Sequence, residues 1–202
     1  MRKILLLLTV FPLLIQFNSQ AQISYILNPA STMTITGTST IHDWTSKVNT
    51  LNCDMKFSTA AGEKSVSSGK LIESLKLEIP VKSIESPHGV VMDNKTYEAL
   101  KAEEFPIITF VMKSNEITEI TDQAAGKFRI SISGDLTIAG FTKPVILPLD
   151  GQKNNDGSFS FSGNLTFNMS EYNITPPTAM FGQIVTGDKL TLAYNFMCDK
   201  QK

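Results

Sequence analysis

Residues 127–138 read KFRISISGDLTI, and apolar and polar side chains alternate along the whole stretch. Every even position from Phe128 to Ile138 is apolar or glycine, whereas every odd position is charged or carries a hydroxyl group. Successive side chains of a β-strand point to opposite faces of the sheet, so this alternation predicts a strand with one buried face. One buried and one solvated face is typical of antiparallel sheets.

The same alternation recurs along most of the chain, in residues 31–41, 51–57, 71–79, 107–113, 145–149, 159–169 and 190–198. Turn residues separate these runs, among them Ala139-Gly140 and Asn155-Asp156-Gly157. Two glycines, Gly134 and Gly163, lie inside predicted strands, where glycine often marks a bend in a curling sheet. The sequence therefore predicts an all-β fold of eight or more strands, closed into a barrel.

One segment departs from the alternation and is rich in helix-forming residues. Residues 93–104 can begin at an Asp93 or Asn94 cap and end before a proline, since the residue before proline avoids the α region. We expect one short surface helix here, with Tyr97 and Leu100 packing inward.

The N-terminal residues have the composition of an export signal. Two basic residues precede an apolar run over residues 4–15, and a small-residue cleavage site ends at Ala21. The run is shorter than the ~20 residues that a membrane-spanning helix needs. We therefore predict a cleavable signal peptide at residues 1–21, a single domain at residues 22–202, and a periplasmic or secreted location.

Charge and composition exclude several classes of partner. The chain has 18 basic and 19 acidic residues, and residues 22–202 are more acidic still, because Arg2 and Lys3 belong to the predicted leader. Without a basic stripe, no nucleic-acid binding is expected. No segment after residue 21 is long and apolar enough for an integral membrane span.

Export would place the two cysteines, Cys53 and Cys198, where a disulfide can persist. Both lie on the apolar side of their segments, on the second and last predicted strands. Because these strands need not be neighbours, either a disulfide or two inert buried thiols fits the sequence.

The two histidines are the candidates for catalysis or metal binding. His42 precedes Asp43, and an aspartate can orient a catalytic imidazole, but neighbours in a strand point to opposite faces. Together with His88, expected in an exposed loop, they show no metal-ligand spacing. We expect no enzyme activity, no catalytic residues, no metal and no cofactor. A hydrolase that uses the His42-Asp43 pair is the least favoured hypothesis.

The remaining feature is a large apolar inner face, rich in phenylalanine. A barrel of eight strands is close to the size at which side chains either fill the interior or leave room for one small ligand. From these residues alone, a filled core and a ligand cavity both remain open.

Short motifs add a family resemblance. Residues 105–114 (FPIITFVMKS), 134–145 (GDLTIAGFTKPV) and 187–192 (GDKLTL) are similar to elements of the YceI-like family, as is the connection that begins at residues 81–84. The resemblance runs from about residue 31 to 198. Residues 176–182 differ from the usual pattern, which is typical of a divergent secreted subgroup.

The resemblance implies an extended antiparallel, lipocalin-like barrel of eight strands that binds a polyisoprenoid or similar lipid in its interior. No catalytic residues come with this family. The alternative is a ligand-free structural or interaction protein with a filled core, and the oligomeric state is left open. The predicted ligand-binding residues are the inward apolar side chains and two residues at a deformable mouth: Phe110, Phe128, Ile130, Ile132, Leu136, Phe159, Phe161, Leu165, Phe167, Met180, Phe181, Leu192, Tyr194 and Phe196.

Overall fold

The computed structural model describes residues 23–62, 66–67 and 69–201. The predicted signal peptide at residues 1–21 lies outside the described residues. The strands are β1 (Ile23–Leu27), β2 (Thr32–Ser39), β3 (Trp44–Val48), β4 (Asn52–Phe57), β5 (Ile72–Pro80), β6 (Ile84–Glu85), β7 (Ile107–Asp122), β8 (Lys127–Ile138), β9 (Phe141–Lys153), β10 (Phe159–Asn168), β11 (Thr178–Ala179) and β12 (Ile184–Lys200). The one α-helix within these residues is α1 (Val90–Ala99).

Eight of the strands close an antiparallel barrel, in the order β1-β4-β5-β7-β8-β9-β10-β12. The ring closes where β1 pairs with the end of β12, with Leu27 opposite Cys198. The long strands β7, β8 and β9 form two consecutive hairpins in this wall. The predicted fold class, an extended antiparallel barrel with one short helix, is confirmed.

Strand β12 is longer than any of its neighbours and pairs with a different strand at each end of the barrel. Its last residues pair with β1, whereas residues Thr186 to Asn195 pair with β2, which continues into β3 and β6. Strands β1 and β4 therefore join β12 to β5 at one end of the barrel, whereas β2, β3 and β6 extend the sheet from β12 at the other end. The sequence pattern did not predict β1 and β3, which are only five residues long.

The helix begins and ends earlier than predicted. It starts at Val90 with Gly89 as its N-cap and has no side-chain cap; the Asp93 carboxylate instead accepts a hydrogen bond from the Ser86 backbone N–H (2.6 Å). It ends at Ala99, where Lys101 adopts a left-handed conformation (φ 52°) and the Ala102 N–H donates to the Tyr97 carbonyl (2.8 Å). The inward packing of Tyr97 and Leu100 is confirmed.

Two predicted glycine positions are sites of close approach between strands. A Cβ atom on Gly134 would meet the Phe110 ring at 2.6 Å, and one on Gly163 would meet the Pro148 carbonyl oxygen at 2.8 Å. The neighbouring strand can come this close at each position only because glycine has no side chain.

One end of the barrel is closed by a cluster of aromatic rings, which we call the aromatic base: Tyr25, Phe57, Phe128, Phe159 and Phe161. Phe57 and Phe159 are fully buried and stack with their ring centroids 5.1 Å apart. Phe128 meets both Phe159 and Phe161 edge-on. This geometry is the preferred one for aromatic pairs, so the base is a well-packed core of its own.

Candidate ligand cavity

Above the aromatic base, the inner faces of the strands enclose a cavity of about 460 Å³. Its floor includes Phe57 and Phe161 of the base, and its walls come from strands all around the barrel. Ligand pockets for small molecules commonly have about 300–1,000 Å³. The interior is therefore not filled by side chains along its whole length.

The cavity explains an uneven burial among inward-facing residues. On β10, Phe159 and Phe161 are buried, whereas Leu165 and Phe167, which point to the same side further along, are only half-buried. Their partners on β12, Leu192 and others, are half-buried in the same way. These apolar side chains are accessible because they face open space inside the barrel.

The fourteen predicted ligand-binding residues fall into three places. Nine line the cavity: Phe110, Ile132, Leu136, Phe161, Leu165, Phe167, Leu192, Tyr194 and Phe196. Three lie outside its lining, in the packed core at the closed end: Phe128, Ile130 and Phe159. Met180 and Phe181 also lie outside the lining, exposed at the open end. Ligand binding by any of them remains a prediction.

Sequence analysis missed a group of lining residues on less regular segments. Leu27, Ile35 and Val48 line the cavity from strands that carried a weak pattern or none. Ile79 also lines it, from the clearly alternating run at residues 71–79, but was not among the predicted ligand-binding residues. The aliphatic side of α1 contributes Ala99 and Leu100. Alternation indicated the face of Ile79 and could have indicated that of Ile35, but no local signal shows which segments meet around the opening.

The cavity opens between three segments, which we call the mouth: the turn between β2 and β3, the loop before α1 with the helix itself, and the segment from residue 176 to 187. The imidazole rings of His42 and His88 stand 5.6 Å apart between the first two segments. The Lys95 Nζ donates to the Thr178 carbonyl (2.9 Å), which joins the helix to the third. The Thr40 backbone N–H donates to the Val185 carbonyl (3.0 Å) and so joins the third segment to the first.

The histidine that could have served a hydrolase is engaged with backbone. The Nδ1 atom of His42 lies 2.8 Å from the carbonyl oxygen of Asp43, in a turn rather than on a strand. Because a carbonyl only accepts hydrogen bonds, Nδ1 carries the proton in this contact. The aspartate thus meets the imidazole through its main chain, which is not the carboxylate orientation of a catalytic pair.

Among the described residues, no group of three or more histidine, cysteine, aspartate and glutamate side chains could hold a metal ion. Within the same part of the chain, no helix is long and apolar enough to cross a membrane.

Both cysteines are free thiols that line the cavity. They lie on β4 and β12, the fourth and last strands, with β1 between them. Leu27 pairs with Cys198, and continuing the β1–β4 register places Cys53 on its other side. Two strand spacings amount to roughly 9–10 Å, which exceeds the ~7 Å Cα separation that a disulfide spans.

We expect these thiols to resist alkylation in the folded protein. Burial raises the pKa of Cys53 and of Cys198 to about 12, with neighbouring acidic groups adding to the effect. The reactive thiolate is therefore scarce at pH values near the pKa of an ordinary cysteine. The alkylation rate should keep rising as the pH is raised above that pKa. Iodoacetamide labelling near pH 8, followed by mass spectrometry, should be at least about 100-fold slower than in urea. Equal rates in both states would contradict the burial of these thiols.

The Tyr194 hydroxyl is buried, and among the described residues it has no hydrogen-bond partner. Burial also raises the pKa of this side chain to about 12. A buried polar group without a partner costs about 1–3 kcal/mol. We therefore expect Tyr194→Phe to raise the free energy of unfolding by about 1 kcal/mol. Urea unfolding would show a higher midpoint at an unchanged slope, and a lower midpoint would mean that the hydroxyl has a partner.

These features define a class of protein: an antiparallel β-barrel with an apolar internal cavity, closed at one end and open at the other. Solved structures of the same fold include BcnA of Burkholderia cenocepacia, with TM-score 0.62, 18% identity, and coverage of 85% of this chain and 99% of that one. A polyisoprenoid binding domain from Saccharophagus degradans gives TM-score 0.64 at 13% identity over 89% and 99%. The Campylobacter jejuni YCEI protein gives 0.55 at 22% identity over 78% and 84%.

The family is shown by the sequence itself. Residues 25–197 match the profile described as the YceI-like domain. The chain therefore belongs to the YceI-like family, as its motifs indicate. None of the curated proteins searched matches this chain.

Proposed function

We propose that this protein binds a long apolar ligand, a polyisoprenoid or similar lipid, inside the barrel. The observation that carries the proposal is the set of inward apolar side chains left accessible around the cavity, such as Leu165, Phe167 and Leu192. A protein that needed only stability would gain by packing them together, since buried apolar area stabilises by about 25 cal/mol per Å². A ligand that fills the cavity removes the same area from water.

The chemistry of the wall selects the class of ligand. Deep in the cavity the polar side chains are Ser46, Tyr194 and the two cysteines, which carry no formal charge. Among the described lining residues the charged one is Lys95, which lies at the mouth on α1 and donates to the Thr178 carbonyl (2.9 Å). The wall therefore offers dispersion contacts and desolvation along its length, which suit a hydrocarbon chain rather than a sugar or a nucleotide. The Saccharophagus degradans relative of the same fold, described as polyisoprenoid binding, supports this class.

A carrier role in the periplasm or outside the cell fits the ligand and the sequence. The predicted signal peptide at residues 1–21 supports export, and a prenyl lipid needs a protein to shield it between membranes. The alternative of a ligand-free structural or interaction protein is less favoured, because it calls for a filled interior and the cavity occupies about 460 Å³.

A chain-length series tests the proposal. Geraniol, farnesol and geranylgeraniol should bind to the purified protein with increasing affinity, because each added isoprene unit buries more apolar surface. Fluorescence of Trp44, the only tryptophan and a residue at the mouth, provides the readout. Calorimetry should show a negative heat-capacity change. No binding, or an affinity independent of chain length, would contradict the proposal.

A further inference from the structure

The open end of the barrel carries most of the exposed bulky apolar side chains. We call the mouth-bordering residues 39–42, 86–92 and 176–187 the rim. Exposed large hydrophobic residues on the rim are Ile41, Val90, Val91, Met92, Met180, Phe181 and Val185. Single apolar residues on a surface are ordinary, but several around one opening mark an interaction site.

The rim is also free of formal charge. None of its three segments contains Asp, Glu, Lys or Arg, although such residues make up 18% of the chain. The charged residues nearest to them in sequence are acidic: Asp43, Glu85, Asp93, Glu171 and Asp188. In space a cation also borders the rim, because the Lys95 Nζ donates to the Thr178 carbonyl (2.9 Å). A surface without charges can leave water without the large cost of desolvating an ion.

The backbone conformation of residues 180–182 also indicates that the rim is an interaction site. Met180 and Phe181 both have positive φ angles, 50° and 55°, followed by Gly182 at 87°. The left-handed region is unfavourable for side chains of this size, and such strain persists where it serves a function. Here it holds the Phe181 side chain fully exposed, at 109% of its reference area, so packing within the described chain does not account for it.

We propose that the rim inserts shallowly into the surface of an uncharged or zwitterionic lipid bilayer, with the cavity mouth facing the hydrocarbon. The proposal deepens the ligand-binding function proposed above and rests on it for its purpose. An apolar chain that moves between bilayer and cavity through an inserted mouth does not cross water. The rim is continuous with the cavity entrance, which a protein partner or a second copy would instead cover.

The test is flotation of the full chain with phosphatidylcholine vesicles. We expect the wild type to float with these vesicles, because an uncharged apolar rim can enter the bilayer surface without desolvating an ion. Brominated phosphatidylcholine should quench Trp44, the only tryptophan. The variant Phe181→Asn keeps a residue that tolerates the left-handed region, and should weaken partitioning by about tenfold through lost apolar burial.

Two further variants make the result specific. The double variant Val90→Ser, Val91→Ser changes another rim segment and should also reduce flotation, while farnesol binding in solution stays unchanged. Ile146→Thr removes an apolar side chain that is 65% exposed on the outer wall, and should change neither property. Thermal unfolding verifies that each variant is folded.

Flotation and farnesol binding together distinguish membrane docking of the rim from ligand binding in the cavity. Farnesol binding without flotation would overturn membrane docking and leave ligand binding standing. Flotation without farnesol binding would support docking and contradict ligand binding. If sedimentation shows a wild-type dimer that Phe181→Asn converts to a monomer, the rim is a protein interface and the membrane proposal is wrong.

Discussion

Replacing Phe159 by alanine should lower the free energy of unfolding by about 3–5 kcal/mol. Its ring is fully buried at the centre of the aromatic base, where it stacks on Phe57 and Phe161 with centroid distances of 5.1 and 6.0 Å. Deleting it removes the transfer free energy of the ring and leaves a cavity that closed strands cannot collapse. Urea unfolding followed by circular dichroism measures the loss.

The matched control is Phe167→Ala, the same substitution on the same face of the same strand. Phe167 is half-buried beside the cavity, and its ring contact is with Tyr172 at 5.3 Å. Because part of this ring already faces open space, we expect a loss of only about 1–2 kcal/mol. Equal losses for the two variants would mean that the barrel has no division into a packed base and an open cavity.

The second large effect concerns the ligand. Leu192→Trp should weaken geranylgeraniol binding by more than about tenfold, because an indole projecting from the wall occupies the space that the chain needs. Leu165, which pairs with Leu192 across β10 and β12, offers a second position, and Leu165→Trp should have the same effect. Both side chains are half-buried and line the cavity, so an added ring can enter open space without unfolding the barrel.

Val111→Trp is the control for these two variants. Val111 lies on β7 and is 42% exposed on the outer wall, so the same indole there should leave ligand affinity unchanged. Isothermal titration with geranylgeraniol compares the three variants. Unchanged affinity in Leu165→Trp and Leu192→Trp would place the ligand outside the cavity.

Much of the barrel could be predicted because its strands are long and one-sided. The alternation in residues 127–138 and 159–169 identifies inward positions, and the structure places these side chains inside the barrel. The turn at Ala139-Gly140 was likewise predictable, since both residues have positive φ angles in a two-residue hairpin. The short strands β1 and β3 were missed because five residues carry too little periodicity to decide.

The division of the inner face into base and cavity could not be predicted. Alternation reports which face a side chain occupies, but not how far along the barrel axis it lies or whether a partner reaches it. Phe159 and Phe167 read alike in sequence, yet one is fully buried and the other borders open space. The difference depends on Tyr25 and Phe57, which lie on β1 and β4, far from Phe159 in sequence, and pack against its ring.

The mouth also depends on long-range contacts. His42 and His88 are 46 positions apart in the printed sequence and approach to 5.6 Å only because β3 pairs with β6. The sequence indicated an exposed loop position for His88, and both histidines are exposed. No local pattern shows that the two rings border one opening.

The most direct test of a lipid-binding barrel is to identify what the protein carries. The full chain would be produced in a bacterial periplasm, purified without detergent, and extracted with organic solvent for mass spectrometry. We predict a prenyl-type or similar apolar lipid in an amount close to that of the protein, and its loss in Leu192→Trp. An extract without apolar lipid, together with no binding of added geranylgeraniol, would contradict the account.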